Sequence, residues 1–323
     1  MQDIRVYDFE FNLLHIENRY ISSNFDLMYN DVGSTEYHFP IQSDILPVIM
    51  ENDYLVLIQG DKQSIVTGKQ ITSDLAVFGR TCNWILTRRT TPAFKTSELS
   101  INKDSESVAR WVVEQAFSDV DNFVLGPVCG LESYEEFWRN TTNSTFDVVR
   151  DCLARQDAGH RVLFDTANKQ WVFEVYQGTK RQTVISEANR NAYDTQYTEN
   201  LADYYTSGYY EFTPESEEGQ EPPSSEWLYL SGDKTGIYKW DAVLSGSTES
   251  EAKSDLQSRR WEKEITASLR NMEFGKDYQL GDQLRIQLQA GRFQKTFEKE
   301  ITGVNFYAQD NEIGEKPIFN EEE

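Results

Sequence analysis

Apolar residues in the first ninety positions recur at about every second place. Ile4, Val6, Phe9 and Phe11 lead to a turn-prone Asn12, and Leu13, Leu14 and Ile16 follow. Phe25, Leu27 and Tyr29 alternate with polar residues as far as Asn30-Asp31-Val32-Gly33, a turn signal; Tyr37, Phe39 and Ile41 then resume an apolar face. Side chains of a strand point to opposite faces in turn, so this period of two predicts half-buried strands. Residues 54–58 read as a buried strand closed by Gly60-Asp61-Lys62, and residues 65–67 and 71–77 continue the meander. Residues 44–51 are the one short helix expected here, despite Pro47. Several short strands with turns between them predict a barrel or a sandwich.

The texture changes near Leu99. Asn102-Lys103-Asp104-Ser105 offers a helix cap ahead of Val108, Trp111, Val112 and Ala116, which have helical spacing. A second helix is expected after Thr141-Thr142-Asn143-Ser144, with Phe146, Val149, Cys152 and Leu153 as its stripe and Gly159 as its stop. Residues 161–165 and 170–176 predict a hairpin around 166–169. Residues 211–226 are rich in Pro, Ser and Glu and predict an exposed acidic loop. Residues 249–270 read as one long helix, marked by Leu256, Trp261, Ile265 and Leu269 and closed by Gly275. Strands are expected at 283–288, 296–301 and 303–308, before an acidic tail at 321–323. No short-period repeat is present. The expectation is a β-rich α+β protein in three parts: a barrel-like domain at 1–97, an α+β unit at 98–195, and a second β-rich domain at 196–323.

A length of 323 residues fits two or three such domains, and 18 Phe, 17 Tyr and 7 Trp are ample for buried cores. The 54 acidic residues against 31 basic ones give a net charge of -23. Such a surface repels phosphate, which disfavours nucleic-acid binding and electrostatic docking on anionic lipid. Cys82, Cys129 and Cys152 are too few and too scattered for a disulfide framework, and fit a reducing compartment. Residues 1–7 lack the pattern of a signal peptide, and no stretch approaches the roughly 20 apolar residues of a membrane span. A soluble protein made in the cytoplasm is expected; release in a particle at cell lysis stays open.

Catalytic motifs fail on inspection. Residues 60–69 end in Gly68-Lys69, but the glycine spacing is wrong for a phosphate loop and Gln70 stands where Ser or Thr is needed. His15, His38 and His160 are far apart in the chain, and no HExxH occurs. Asp119, Asp121 and Asn122 begin like a calcium loop that lacks its central Gly and closing Glu. There is no GxSxG elbow, and the SxxK matches at Ser100 and Ser250 suit a helix start and a solvated helix face. Cys152 precedes His160 but belongs to an apolar stripe, which fits a structural thiol. The sequons at Asn140 and Asn143 need no function without a signal peptide. Neither catalytic, cofactor-binding nor metal-binding residues are assigned. More suggestive are Tyr204, Tyr205, Tyr209 and Tyr210, which suit stacking on sugars or packing at a protein interface as well as they suit strand residues of a half-buried sheet.

The order of segments carries a resemblance. Tyr7-Asp8-Phe9-Glu10-Phe11-Asn12-Leu13-Leu14 and Tyr20-Ile21-Ser22 open it, and residues 33–40 continue it. It resumes at Ile85-Leu86-Thr87-Arg88-Arg89 with Pro92, at Asn122-Phe123-Val124-Leu125-Gly126, and at Phe164-Asp165 with Trp171-Val172-Phe173-Glu174-Val175-Tyr176-Gln177-Gly178. Lys276-Asp277-Tyr278-Gln279-Leu280-Gly281-Asp282 completes it. Over roughly 1–190 and 245–308 the chain resembles the phage tail hub or baseplate hub family, and is similar to the N-terminal part of siphophage tail-associated lysins.

The resemblance implies a virion structural protein of the tail tip or baseplate, of a phage, prophage or tailocin, assembled in the bacterial cytoplasm. It implies a homotrimer in which each chain supplies two barrel-like, tail-tube-related domains, giving a pseudo-hexameric ring that continues the tail tube. Partners would be the distal tail protein, the tube or tape-measure protein, and a spike, fibre or receptor-binding protein; DNA would pass the channel without specific binding. Tyr7, Phe9, Phe11, Tyr37, Phe39, Tyr278 and Leu280 are the expected interface residues, being aromatic or apolar positions inside the matching segments. Many relatives carry a long C-terminal extension with a fibre, a sugar-binding module or a cell-wall hydrolase, whereas this sequence stops at Glu323, so no enzyme is expected. The alternatives are a receptor- or cell-wall-glycan-binding tail protein using Tyr204, Tyr205, Tyr209 and Tyr210, and a peptidoglycan hydrolase of the tail tip.

Overall fold

A computed structural model describes residues 2–90, 100–131, 136–139, 144–212, 224–309 and 312–320. The fold is α+β and β-rich. Most of the expected loop at 211–226, the sequons and the acidic end lie outside the described residues.

The N-terminal meander comprises β1 (Ile4–Asp8), β2 (Leu13–Glu17), β3 (Ser22–Met28), β4 (Ser34–Pro40), α1 (Ile45–Glu51), β5 (Leu55–Gln59), β6 (Lys62–Ile71) and β7 (Asp74–Thr81). Its strands pair antiparallel in the order β3-β4-β7-β6-β5-β1-β2, so the expected meander is corrected: only β1-β2, β3-β4 and β5-β6-β7 are consecutive neighbours, while β4 pairs with β7 and β5 with β1. The period of two does what the sequence predicts: Thr35, Tyr37 and Phe39 of β4 are buried on one face. The unbroken apolar run of β5 has its reason in two cores. Leu55 and Leu57 pack with Tyr37, Phe39 and α1. Val56 and Ile58 pack on the opposite side with Tyr7, Phe11 and the helices that follow. Pro47 is tolerated because it falls in the first turn of α1, where backbone N–H groups have no helical partner. Gly60 and Asp61 form the tight turn between β5 and β6, with Gly60 at φ 65°. That geometry is a hairpin, not a phosphate loop.

After a 3₁₀ segment at Cys82–Arg88 come β8 (Ser100–Lys103), α2 (Ser105–Ala116), β9 (Phe123–Leu125), β10 (Glu136–Arg139), α3 (Thr145–Ala154), β11 (Ala158–Asp165) and β12 (Gln170–Gln177). Asp104 caps α2 by accepting from Ser107 N, and Ser144 caps α3 by accepting from Asp147 N. β11 and β12 form the expected hairpin, with β9 parallel to β12. Gly159 does not end α3. It lies inside β11, where a Cβ would come within 2.3 Å of the Tyr29 ring, so the glycine serves a close approach instead.

β13 (Lys180–Ile185) precedes β14 (Ala192–Asn200), β15 (Ser207–Phe212), β16 (Glu226–Leu230), β17 (Asp241–Val243), α4 (Glu249–Ser258) and β18 (Glu262–Leu269). The single helix expected over 249–270 is therefore corrected to a helix followed by a strand. Ile265, Ala267 and Leu269 are buried in alternation, and the four-residue spacing of 265 and 269 satisfies both periods. Thr248 and Glu251 form a capping box at the start of α4. The chain ends with β19 (Gln283–Ala290), β20 (Phe293–Gln309) and β21 (Glu312–Phe319). The strands expected at 296–301 and 303–308 are one strand, β20, with a register shift between Ile301 and Gly303.

Two compact units result, Met1–Asp194 with Ala267–Asn320, and Thr195–Thr266. In the first, β20 pairs with β3, so the C-terminal strands extend the N-terminal meander into an eleven-stranded sheet. In the second, β16-β15-β17 form a sheet whose inner face, Tyr210, Ala242 and Leu244, packs with Ala252 and Leu256 of α4.

Candidate interaction site

Three of the motifs that carry the resemblance, at 122–126, 164–178 and 276–282, converge in space, and their chemistry is that of fixing backbone. Residues 122–126 lie beside 171–178: Trp171 N donates to Asn122 O at 2.8 Å, and Gly126 N to Phe173 O at 2.8 Å. The end of that stretch meets 276–282. A Cβ on Gly178 would lie 1.9 Å from the Gly281 carbonyl, so neither backbone leaves room for a side chain. Asp282, 1% exposed, accepts from Thr179 N (2.8 Å), Thr179 Oγ1 (3.0 Å), Arg181 Nε (2.7 Å) and Gln279 N (2.8 Å). Tyr29 packs against Gly159 and Gly281 and donates its hydroxyl to Asp157 O at 2.7 Å.

A second device ties β11 to the meander. Its free edge is met by two side-chain amides. Val162 N donates to Asn83 Oδ1 (2.8 Å) while Asn83 Nδ2 donates to His160 O (3.3 Å); Phe164 N donates to Gln63 Oε1 (2.7 Å) while Gln63 Nε2 donates to Phe164 O (3.0 Å). Each amide thus replaces a neighbouring strand. Beside them is a cleft of about 450 Å³, lined among others by Phe25, Phe274, Phe306, Gln63 and His160.

The titratable groups are arranged for structure. His160 is buried, and burial, followed by the nearby Arg150, lowers its pKa to about 3, so the ring is neutral. Asn30 Nδ2 donates to Arg150 O, which leaves Asn30 Oδ1 to accept from His160 Nδ1 at 2.7 Å. His38 lies between Asp74 (2.5 Å) and Glu36 (2.7 Å). Burial alone would lower its pKa, but these two carboxylates raise it overall. Burial pushes the Cys82 thiol up to about 12, and Cys152 is buried on α3, as its stripe predicts. Among the described residues no three His, Cys, Asp or Glu side chains are placed to hold a metal ion.

The residues singled out as interface positions are mostly interior. Tyr7, Phe11, Tyr37, Phe39, Tyr278 and Leu280 are buried within the chain, and only Phe9 is half-buried, against Tyr54 and Trp171. Tyr37 and Phe39 face the α1 core, and Tyr7 and Phe11 pack on Phe164. Tyr278 donates its hydroxyl to Glu315 at 2.7 Å. Exposed apolar side chains lie elsewhere on this unit, at Leu13 and Ile16 of β2 and at Ile313 and Ile318 of β21. Both strands are sheet edges: β2 pairs only with β1, and β21 only with β20, among the described residues.

The four tyrosines of 204–210 are divided between environments. Tyr210 is core, and Tyr205 is half-buried beneath Arg259. Tyr204 packs with Trp240 and Trp261. Tyr209 is exposed on the outer face of the β16-β15-β17 sheet, directly across from Tyr229 and, on its other side, Val243. Trp227 stands across from Glu211 on the same face and is 58% exposed. Trp227, Tyr229 and Val243 were not singled out by sequence pattern. The signal was the alternation of Trp227, Leu228, Tyr229 and Leu230, hidden behind the Pro-rich stretch that precedes it.

This arrangement of sheets is found in phage tail proteins. A 43 kDa tail protein of prophage MuSo2 from Shewanella oneidensis superposes with a TM-score of 0.56 at 10% identity, covering 99% of this chain and 98% of that one. A tail protein from Neisseria meningitidis MC58 gives 0.53 at 9% identity, covering 99% and 96%. Prophage tail protein gp18 from Listeria monocytogenes EGD-e gives 0.51 at 12%, covering 98% and 94%. The chain therefore has a tail-protein fold along almost its whole length. It belongs to the Siphovirus ReqiPepy6 Gp37-like protein family, whose model matches residues 3–209. The tail-protein resemblance of its motifs agrees with both findings. No curated protein matches the sequence. No helix among the described residues is long and apolar enough to cross a membrane.

Proposed function

We propose that this protein is a non-enzymatic structural component of a phage or prophage tail, acting as a hub at the tail tip or baseplate. The observation that carries the reading is the family match over residues 3–209 together with a tail-protein fold over 99% of the chain. In this reading three copies form a pseudo-hexameric ring that continues the tail tube, and the ring joins the distal tail protein, the tube or tape-measure protein and a spike or fibre. The exposed edges β2 and β21 support such an assembly, because an edge strand offers unpaired N–H and C=O groups to another chain. The net charge of -23 suits a channel wall that passes DNA without holding it.

Light scattering on the purified protein, alone and with its neighbouring tail proteins, tests the ring. A mass near three times 37.5 kDa for the protein alone, or a complex holding three copies once the neighbours are added, is expected. A monomer under both conditions removes the ring from the reading.

A further inference from the structure

The second unit presents an exposed aromatic face to which the proposed ring assigns no contact. On β15, β16 and β17 the side chains alternate cleanly: Tyr210, Leu228 and Ala242 point to the α4 core, and Tyr209, Trp227, Tyr229 and Val243 point outward. Neighbouring strands are about 4.8 Å apart and alternate residues along a strand about 7 Å apart, so these four make one small patch rather than scattered contacts, with the Tyr209 and Tyr229 rings tilted by 53° to each other. The two tyrosine rings are held in place before any ligand arrives. Tyr209 and Tyr229 pack at 4.9 Å between centroids. Tyr229 donates its hydroxyl to Asp241 Oδ1 at 3.1 Å, and Lys239 Nζ sits 4.5 Å over its ring.

Polar groups are interleaved with the rings. Glu211 stands beside Trp227, and Asp241 beside Tyr229. The cores of protein–protein interfaces are depleted in such charges. A second copy would also be repelled, since residues 195–266 carry fifteen Asp and Glu against six Lys and Arg, a net charge of -9. Phosphate-bearing polymers meet the same repulsion. What matches is a neutral sugar chain. The apolar C–H face of a pyranose lies flat on an electron-rich ring, and its hydroxyls donate to flanking carboxylates.

We infer that the outer face of β16-β15-β17, centred on Trp227, Tyr229 and Tyr209, is a binding site for a neutral polysaccharide of the bacterial surface. The inference is independent of the ring assembly, which concerns the other unit's sheet edges.

Co-sedimentation of the full chain with a panel of protein-free bacterial cell walls tests it, using walls before and after removal of their phosphate-bearing polymers. The protein should pellet with at least one wall in both states. Trp227→Ala and Tyr209→Ala should each lower the bound fraction at least fivefold with an unchanged thermal melt, and Trp227→Phe should retain most of it. Retention by none of the walls, loss of binding with the phosphate-bearing polymers, or equal binding by the alanine variants would each overturn the assignment. A drop in oligomeric mass on Trp227→Ala would overturn it as well, by making the face a protein contact.

Discussion

Asp282 shows how a single carboxylate fixes several strands. Its two oxygens take two backbone N–H groups, one hydroxyl and the Arg181 guanidinium, and no water is needed to satisfy them. Asp282→Ala should lower stability by about 3 kcal/mol, read as a fall in the urea midpoint, because the donors and a half-buried cation lose their acceptor. A midpoint like that of the wild type would show these bonds to be dispensable. His160 makes a different prediction, in pH. Its folded pKa is depressed to about 3, so between that value and about 6.5 the unfolded chain binds a proton that the folded chain does not. Its contribution is complete above pH 6.5 and is lost as the pH falls. His160→Gln should therefore be less stable at pH 7 yet lose less between pH 7 and pH 4.5, so that the two urea midpoints converge; parallel curves would contradict this. His38 acts in the opposite sense. Its raised pKa makes its ion pairs present in acid and lost as the pH climbs above the folded value.

Among the elements, β11 has its second edge satisfied by Gln63 and Asn83 rather than by a strand. Asn83→Ala should cost about 1–3 kcal/mol by leaving the buried Val162 N–H without its acceptor. Gly178→Ala should cost about as much by forcing apart two backbones that now touch. Both are measured by chemical denaturation, and Asn83→Asp should not recover the first loss, because it would bury a carboxylate against the Asp31 and His160 carbonyl oxygens to which the amide now donates. Local signals were legible: the strands of the first ninety residues, though not their order in the sheet, the caps of α2 and α3, and the 161–176 hairpin. The helix expected over 249–270 was not. Leu256 truly belongs to a helix and Ile265 and Leu269 truly face a core, but four residues are one helical turn or two strand repeats. Gly159 was misread because a glycine marks both a helix stop and a place where a ring must approach.

For the whole molecule, the ring proposal places contacts on sheet edges rather than on the buried aromatics. Ile16→Lys on β2 should abolish the trimer while leaving the monomer's melting temperature nearly unchanged, since Ile16 is half exposed and an edge lysine opposes strand addition. Trimers of undiminished mass would exclude this edge. The acidic balance belongs to this scale too, because it acts through the summed field and not through a pair of residues.

The sequence alone determined the β-rich character, the strands of the first ninety residues though not their pairing order, the helix caps and the tail-protein resemblance. All of these rest on local period, local capping or the order of segments. It did not reveal that β20 closes onto β3 some 280 residues earlier, that Gly178 meets Gly281, or that Trp227 and Tyr209 share a face. Aromatic residues at strand spacing look alike whether they line a core or face solvent. Tyr210 and Tyr209 are neighbours of the same type, and only the packing of α4 against one side of their strand decides which is buried and which is free to bind.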